Sequence, residues 1–124
     1  MGFILFIIAQ LTTPIFNNIG MIYACFRIKS IREANNYYRK LAISKDQHSN
    51  VCTKYLFNDI MIIRKKDPSQ PYRFGNEDET ISSVFGKNQR RETLTIFGKF
   101  WNTFLNRIEK NHSELAIEED EIDN

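Results

Sequence analysis

Cysteine and histidine are scarce in this chain, two of each among 124 residues, and the scarcity removes the chemistry that depends on them. Cys25 and Cys52 are too few for a disulfide framework and lack C-x-x-C spacing, so both read as buried thiols. His48 and His112 form no HExxH or other paired ligand motif, and no metal site or cofactor is expected. Proline (three) and glycine (five) are also sparse, which leaves long stretches free to be helical. Charge is missing altogether from Gly2 to Phe26. There is no internal repeat, and only the acidic C-terminus is of low complexity.

What is present bounds the architecture. At 124 residues, 42% hydrophobic and 26% charged, the chain has globular composition and room for one small domain with appendages, not for a multidomain enzyme. The formal charge of +2 hides an asymmetry. All 17 Lys and Arg lie at or before His112 against nine acidic residues, an excess of eight positive charges, while six acids and no base follow. Such a body attracts phosphates or anionic lipid headgroups, and the acidic tail can fold back and compete for the same surface. The plainer reading is a solvated basic face.

The apolar run opens with Phe3-Ile4-Leu5-Phe6-Ile7-Ile8-Ala9, and residues 3 to 26 are long enough to span a bilayer, which needs about 20 apolar residues. Gln10, Thr12, Thr13, Pro14, Asn17 and Asn18 interrupt it, and each polar group in hydrocarbon needs a partner. No basic segment precedes the run and no A-x-A site ends it, against a cleaved signal peptide. If it spans, Arg27, Lys29, Arg32, Arg39 and Lys40 keep the remainder cytoplasmic by the positive-inside rule. The alternative is that Met21 is an internal start.

The expected fold is mainly α, a small helical domain of two long amphipathic helices and a short one. Residues 1–28 form the apolar segment, 30–112 the helical domain and 113–124 a disordered acidic tail. The first long helix runs from Ser30 to about Phe57, with Tyr37, Tyr38, Leu41, Ala42, Cys52, Tyr55 and Leu56 in one arc at 100° per residue. Asp46 and Asn50 lie one turn apart on the flank of that arc, with Gln47 further round. Ile60 to Ile63 finish the helix or form a short strand. Pro68, Pro71 and Gly75 mark Arg64 to Asn76 as a loop. Asn76 then reads as the cap of a short helix, with Glu79 completing a capping box and Gly86 ending it. From about Thr93 to Lys110, Leu94, Phe97, Phe100, Trp101, Phe104, Leu105 and Ile108 share an arc of about 140°, opposite Lys99, Asn102, Asn106, Glu109 and Lys110. Packed against the first long helix, this face completes the core. Laid on a membrane, it is an interfacial helix.

Two polar stretches carry the candidate site: Asp46, Gln47 and Asn50, then Asp78, Glu79, Thr80, Ser82 and Ser83. Over roughly residues 35 to 112 they resemble a set of small, uncharacterised tailed-bacteriophage and prophage proteins that pair Asp-Gln-x-x-Asn on a helix with a downstream Asp-Glu-Thr-x-Ser-Ser. The chain departs from that pattern in two ways. Val84 stands where many members have Arg, so a basic partner has to come from Arg73 or Lys87, and the two motifs lie further apart. The resemblance implies a phage setting and no defined activity.

Three chemistries suit such residues. A hydrogen-bond network would fix how the two helices dock. Asp46, Asp78 and Glu79 have the hard oxygens that suit Mg²⁺. Carboxylate pairs can serve as acid and base, but so short a chain can scarcely enclose a substrate cleft, and Ser82 and Ser83 have no visible base, since nothing orients His48. No catalytic set is therefore expected. The leading expectation is a non-enzymatic phage accessory protein in the bacterial host, cytoplasmic or inner-membrane anchored, that binds a host or phage protein through its basic and aromatic surface. The alternatives are a membrane-associated factor of a phage lysis region, and a nucleic-acid binder using Arg39, Lys40, Lys45, Lys54, Arg64 to Lys66 and Arg90-Arg91 on phosphates, with Tyr37, Tyr38 or Tyr72 for stacking.

Overall fold

A computed structural model describes residues 1–63 and 70–117. The chain is mainly helical, in two units that divide at Arg39 and Lys40. In the first, α1 (Gly2–Arg27) is one 26-residue helix that passes through Pro14 and buries no residue. Its polar groups are partly satisfied within the helix: the Thr12 hydroxyl donates to the Ile8 carbonyl at 2.9 Å. Ile28 closes it, extended, with its N–H on the Ala24 carbonyl. Helix α2 (Ile31–Cys52) starts where Ser30 Oγ accepts the Glu33 N–H and the Glu33 carboxylate accepts the Lys29 N–H, a variant of the capping box.

The helix predicted over Ser30–Phe57 is present with one interruption. At Thr53 the hydroxyl donates to the Ser49 carbonyl, the backbone leaves helical geometry, and α3 (Lys54–Ile60) follows. Ile62 then pairs with Leu94 in an isolated antiparallel bridge, so the run after Asn58-Asp59 ends the helix and enters a strand-like contact. Of the predicted loop, 64–69 lie outside the described residues. Residues 70–80 are irregular, and Gly75 sits at φ 117° against the Lys54 side chain, where a Cβ would collide.

The short helix begins later than predicted. Asn76 caps only a turn, its Oδ1 accepting the Asp78 N–H, and α4 (Ile81–Arg91) is capped by Thr80, whose Oγ1 accepts the Ser83 N–H. Glu77, Asp78 and Glu79 are therefore not its first turn. Gly86 does not end it either. The helix continues to Arg91 and closes at Glu92 in the left-handed region. Gly86 instead lies against α6 (His112–Leu115), where a Cβ would strike the Ser113 carbonyl. Likewise α5 starts after the bridge rather than at Thr93, spans Ile96–Ile108 and is capped by Thr95. The helical domain also runs past His112: Ser113 is buried, and Glu114 folds back onto Arg90 at 2.6 Å. The rest of the predicted acidic tail, 118–124, lies outside the described residues.

The apolar core is small: Met61, Ile62, Tyr72, Phe74, Val84, Phe85 and Leu94, with Phe57, Ile81 and Leu105 packed against it. Phe74 sits edge-on to both Phe57 and Phe85, centroids 5.3 Å apart in each pair. The two long helices meet this core with the opposite faces to those predicted. Along α2 and α3, Tyr38, Tyr55 and Leu56 are exposed while Asn50 is fully buried. Along α5, the faces are inverted too: Gly98 and Asn102 are buried, Phe97, Phe100 and Phe104 are exposed, and Trp101 is 39% exposed. Only Leu94 and Leu105 of the predicted arc reach the core. The thiols are misplaced in the same way, since Cys25 and Cys52 are both exposed. Periodicity groups residues onto a face, but the inward face here is chosen by side-chain amides that reach backbone groups at close helix crossings. Gly98 permits one such crossing, lying against the Met61 carbonyl.

Gly86→Ala should destabilise the domain by roughly 1–3 kcal/mol, the usual cost of overpacking, because the atom it meets is backbone. Ala in a helix interior is otherwise favoured over Gly, so a thermal melt in which Gly86→Ala is neutral or stabilising would refute the close α4–α6 crossing.

Candidate functional site

The two motifs come together around residues 72–83. Asn50, one turn beyond Asp46 on α2, is 0% exposed. Its Nδ2 donates to the Asn76 and Glu79 carbonyls at 3.1 and 2.8 Å, and its Oδ1 accepts the Gly75 N–H at 3.0 Å. Gln47 Nε2 donates to the Asp78 carbonyl at 2.7 Å. Asp46, half-buried, faces Ser82, whose hydroxyl and N–H lie 3.2 and 3.5 Å from Oδ2. The hydrogen-bond network expected from the sequence would have Asp46 accept from Gln47, Asn50, the Thr80 hydroxyl or backbone N–H groups near residues 77–79, and its contacts are with Ser82 instead. Gln47, Asn50 and Thr80 hold backbone groups of their own.

Glu79 is the buried charge of the site, with no exposed surface. Its Oε1 accepts from the Ser83 hydroxyl at 2.5 Å and from Lys87 Nζ at 2.6 Å, and its Oε2 from the Tyr72 hydroxyl at 2.7 Å. Lys87 also lies 4.2 Å from the Tyr72 ring centroid. A buried carboxylate needs this many partners, since losing one strands an uncompensated charge. Lys87, one of the two bases named in the sequence reading, pairs with Glu79, and Val84 lies in the core. Glu79 thereby separates from Asp46 and Asp78, and among the described residues no cluster of three or more His, Cys, Asp or Glu is arranged to hold a metal ion.

The sequence reading missed two further asparagines that act as Asn50 does. Asn58 Nδ2 donates to the Phe74 carbonyl and its Oδ1 accepts the Phe74 N–H, at 3.0 and 2.8 Å. Asn88 makes the same pair with Tyr72 at 2.7 and 2.9 Å, and also binds the Val84 carbonyl and the Thr93 hydroxyl. Carboxamides thus pair the backbone of alternate residues as a neighbouring strand would. A third extension lies at the C-terminus, where Asn102 accepts from Ser113 Oγ and donates to Gln89, and Asn106 accepts the Ser113 N–H. Among the described residues no buried side-chain nitrogen or oxygen lacks a partner.

His112, unassigned in the sequence reading, supplies what His48 did not. Its Nε2 lies 3.1 Å from Ser82 Oγ and its Nδ1 2.7 Å from the Glu109 carboxylate, the order of a nucleophile, a base and an orienting group. Yet Ser82 is 6% exposed, and Asp46 competes with His112 for its single proton. Its N–H faces Asp46 and that of Ser83 is held by Thr80, so neither donor is turned toward an oxyanion. His48, by contrast, contacts Cys52 at 3.4 Å on the exposed side of α2. Comparison with known protein families, curated proteins and solved structures finds no match.

Asn50→Ala should cost more than Asp46→Asn. The first strips partners from three backbone groups, each worth about 1 kcal/mol and more when left buried and unpaired, for a loss of roughly 3 kcal/mol or more. The second weakens two long contacts to a half-buried carboxylate and should cost about 1 kcal/mol. Chemical denaturation of both variants checks the order, and an equal or larger loss for Asp46→Asn would contradict the leading role of Asn50 at the junction.

Proposed function

We propose that this chain is a membrane-anchored, non-enzymatic interaction module of a phage or prophage, its helical domain held at the cytoplasmic face of the host inner membrane for a host or phage protein to bind. One observation carries the reading: α1 is uncharged from Gly2 to Phe26 and buries no side chain. At 1.5 Å per residue its 26 residues extend about 39 Å, more than the roughly 30 Å of a hydrocarbon core. Its length and hydropathy are those of a membrane span. Five cations follow within fourteen residues, at positions 27, 29, 32, 39 and 40, which favours a cytoplasmic C-terminal domain.

The interaction role draws on what the polar residues are engaged in. Asn50, Glu79, Ser83 and Asn88 are buried and spend their hydrogen bonds on the domain itself, a structural use rather than one that leaves groups facing a substrate. The basic Lys40, Lys45 and Lys54 lie on the exposed surface and would meet an acidic partner, with electrostatics speeding the encounter. The phage setting rests on the resemblance of the two motifs.

Expressed in bacteria, the full chain should stay with the membrane after alkaline carbonate washing, whereas a chain beginning at Met21 should be released, because it lacks most of the span. Release of both would remove the anchor, and with it the membrane placement of the module.

A further inference from the structure

We infer that the outward face of α5 is a lipid-contacting surface that lies in the headgroup region of an anionic membrane. This rests on the membrane reading of α1 and adds a second, interfacial contact made by the domain itself.

The helix is docked by its polar side. Asn102 and Asn106 hold Gln89 and Ser113, and Gly98 lets the helix approach Met61. What remains outward is a band of large apolar side chains: Ile96 is 90% exposed, Phe100 63% and Ile108 71%, with Phe97 and Phe104 about half exposed. Trp101 sits within the band, edge-on to Phe97, Phe100 and Phe104 at centroid distances of 6.3, 5.9 and 5.7 Å. A monomer in water seldom leaves so continuous an apolar stripe uncovered.

Charge chooses among the occupants. Arg107 borders the aromatic arc on its Phe100 side, and Lys99 and Lys110, on the polar side of the helix, are exposed as well. Aromatic side chains toward the lipid, with exposed cations on the flank and polar side, is the pattern of a helix lying in a membrane interface, where Trp prefers the headgroup level. Anionic lipids complement these cations and the basic body behind them. A second copy of the chain in a symmetric contact would instead set these cations against their own counterparts. The span supplies proximity as well, since a tethered domain meets the bilayer at high effective concentration.

Trp101 is the sole tryptophan, so its emission reports on this face alone. The full chain would be reconstituted into phosphatidylglycerol–phosphatidylethanolamine vesicles whose lipids carry bromine either near the headgroup end or near the terminus of the acyl chains. With the ring roughly 5–10 Å into the boundary, shallow bromines should remove about half of the emission and deep bromines clearly less. Phe100→Glu, at a position facing solvent, should relieve the quenching while the chain still floats with the vesicles. A chain that floats but whose Trp101 is unquenched by either lipid overturns the inference and leaves the anchor standing. If such a chain also cross-links as a dimer through α5, the face belongs to self-association. Stronger quenching by deep bromines would overturn the interfacial placement, and failure to float would remove the membrane reading and this inference together.

Discussion

Three asparagine side chains, clamped onto the backbone of one irregular segment, hold the helical domain together. Residues 72–76 have no strand beside them, yet Asn88 pairs both backbone groups of Tyr72, Asn58 both of Phe74, and Asn50 takes the Gly75 N–H and the Asn76 carbonyl. Each carboxamide carries donor and acceptor on one rigid plane, so it can replace a strand edge where no strand exists. The individual bonds are modest, about 0.5–1.5 kcal/mol net, but leaving those buried backbone groups unpaired would cost more than the bonds gain. Asn50 reaches the segment from α2, Asn58 from α3 and Asn88 from α4, so the same bonds that satisfy the backbone also fix where three helices sit.

That arrangement explains the inverted helices. An apolar core of seven buried side chains among the described residues is too small to occupy every hydrophobic helix face, and the inward positions of α2 and α5 are held by Asn50 and Asn102. Once the amides are inside, the aromatic arcs have nowhere to go but out. The buried Glu79–Lys87 pair follows the same logic: Tyr72 and Ser83 complete the carboxylate's shell, and the charge ties the irregular segment to α4. In the proposed function the exposed apolar faces of α1 and of α5 are the surfaces that meet lipid.

Much of the architecture was legible from local signals. The charge-free run set the length of α1, the scarcity of Pro and Gly left room for α2, and Thr and Ser near apolar stretches marked helix starts. The Asp-Gln-x-x-Asn and Asp-Glu-Thr-x-Ser-Ser stretches were also identified as partners, and they do meet. The direction of each face was not legible, because a hydrophobic arc reports shared orientation and not what lies opposite. Asn58 and Asn88 carried no local mark either: an asparagine that clamps a distant backbone looks like one that faces water until the loop it grips is placed. Gly86 was read as a stop since helix ends commonly use glycine, whereas its role here is set by Ser113, twenty-seven residues further on. His112 and Glu109 stand beside Ser82 for the same reason, through a contact across thirty residues that spacing does not encode.

Hydrogen exchange of the asparagine side chains tests the central claim most directly. In a uniformly ¹⁵N-labelled sample transferred to D₂O, the carboxamide protons of Asn50, Asn58 and Asn88 should persist as long as the most protected backbone amides, since in each case release requires the domain to open. Those of the exposed Asn35 and Asn36 should vanish at once. Loss of all five at the same fast rate, with the backbone of the helices still protected, would contradict the clamp and return the helix faces to an apolar packing.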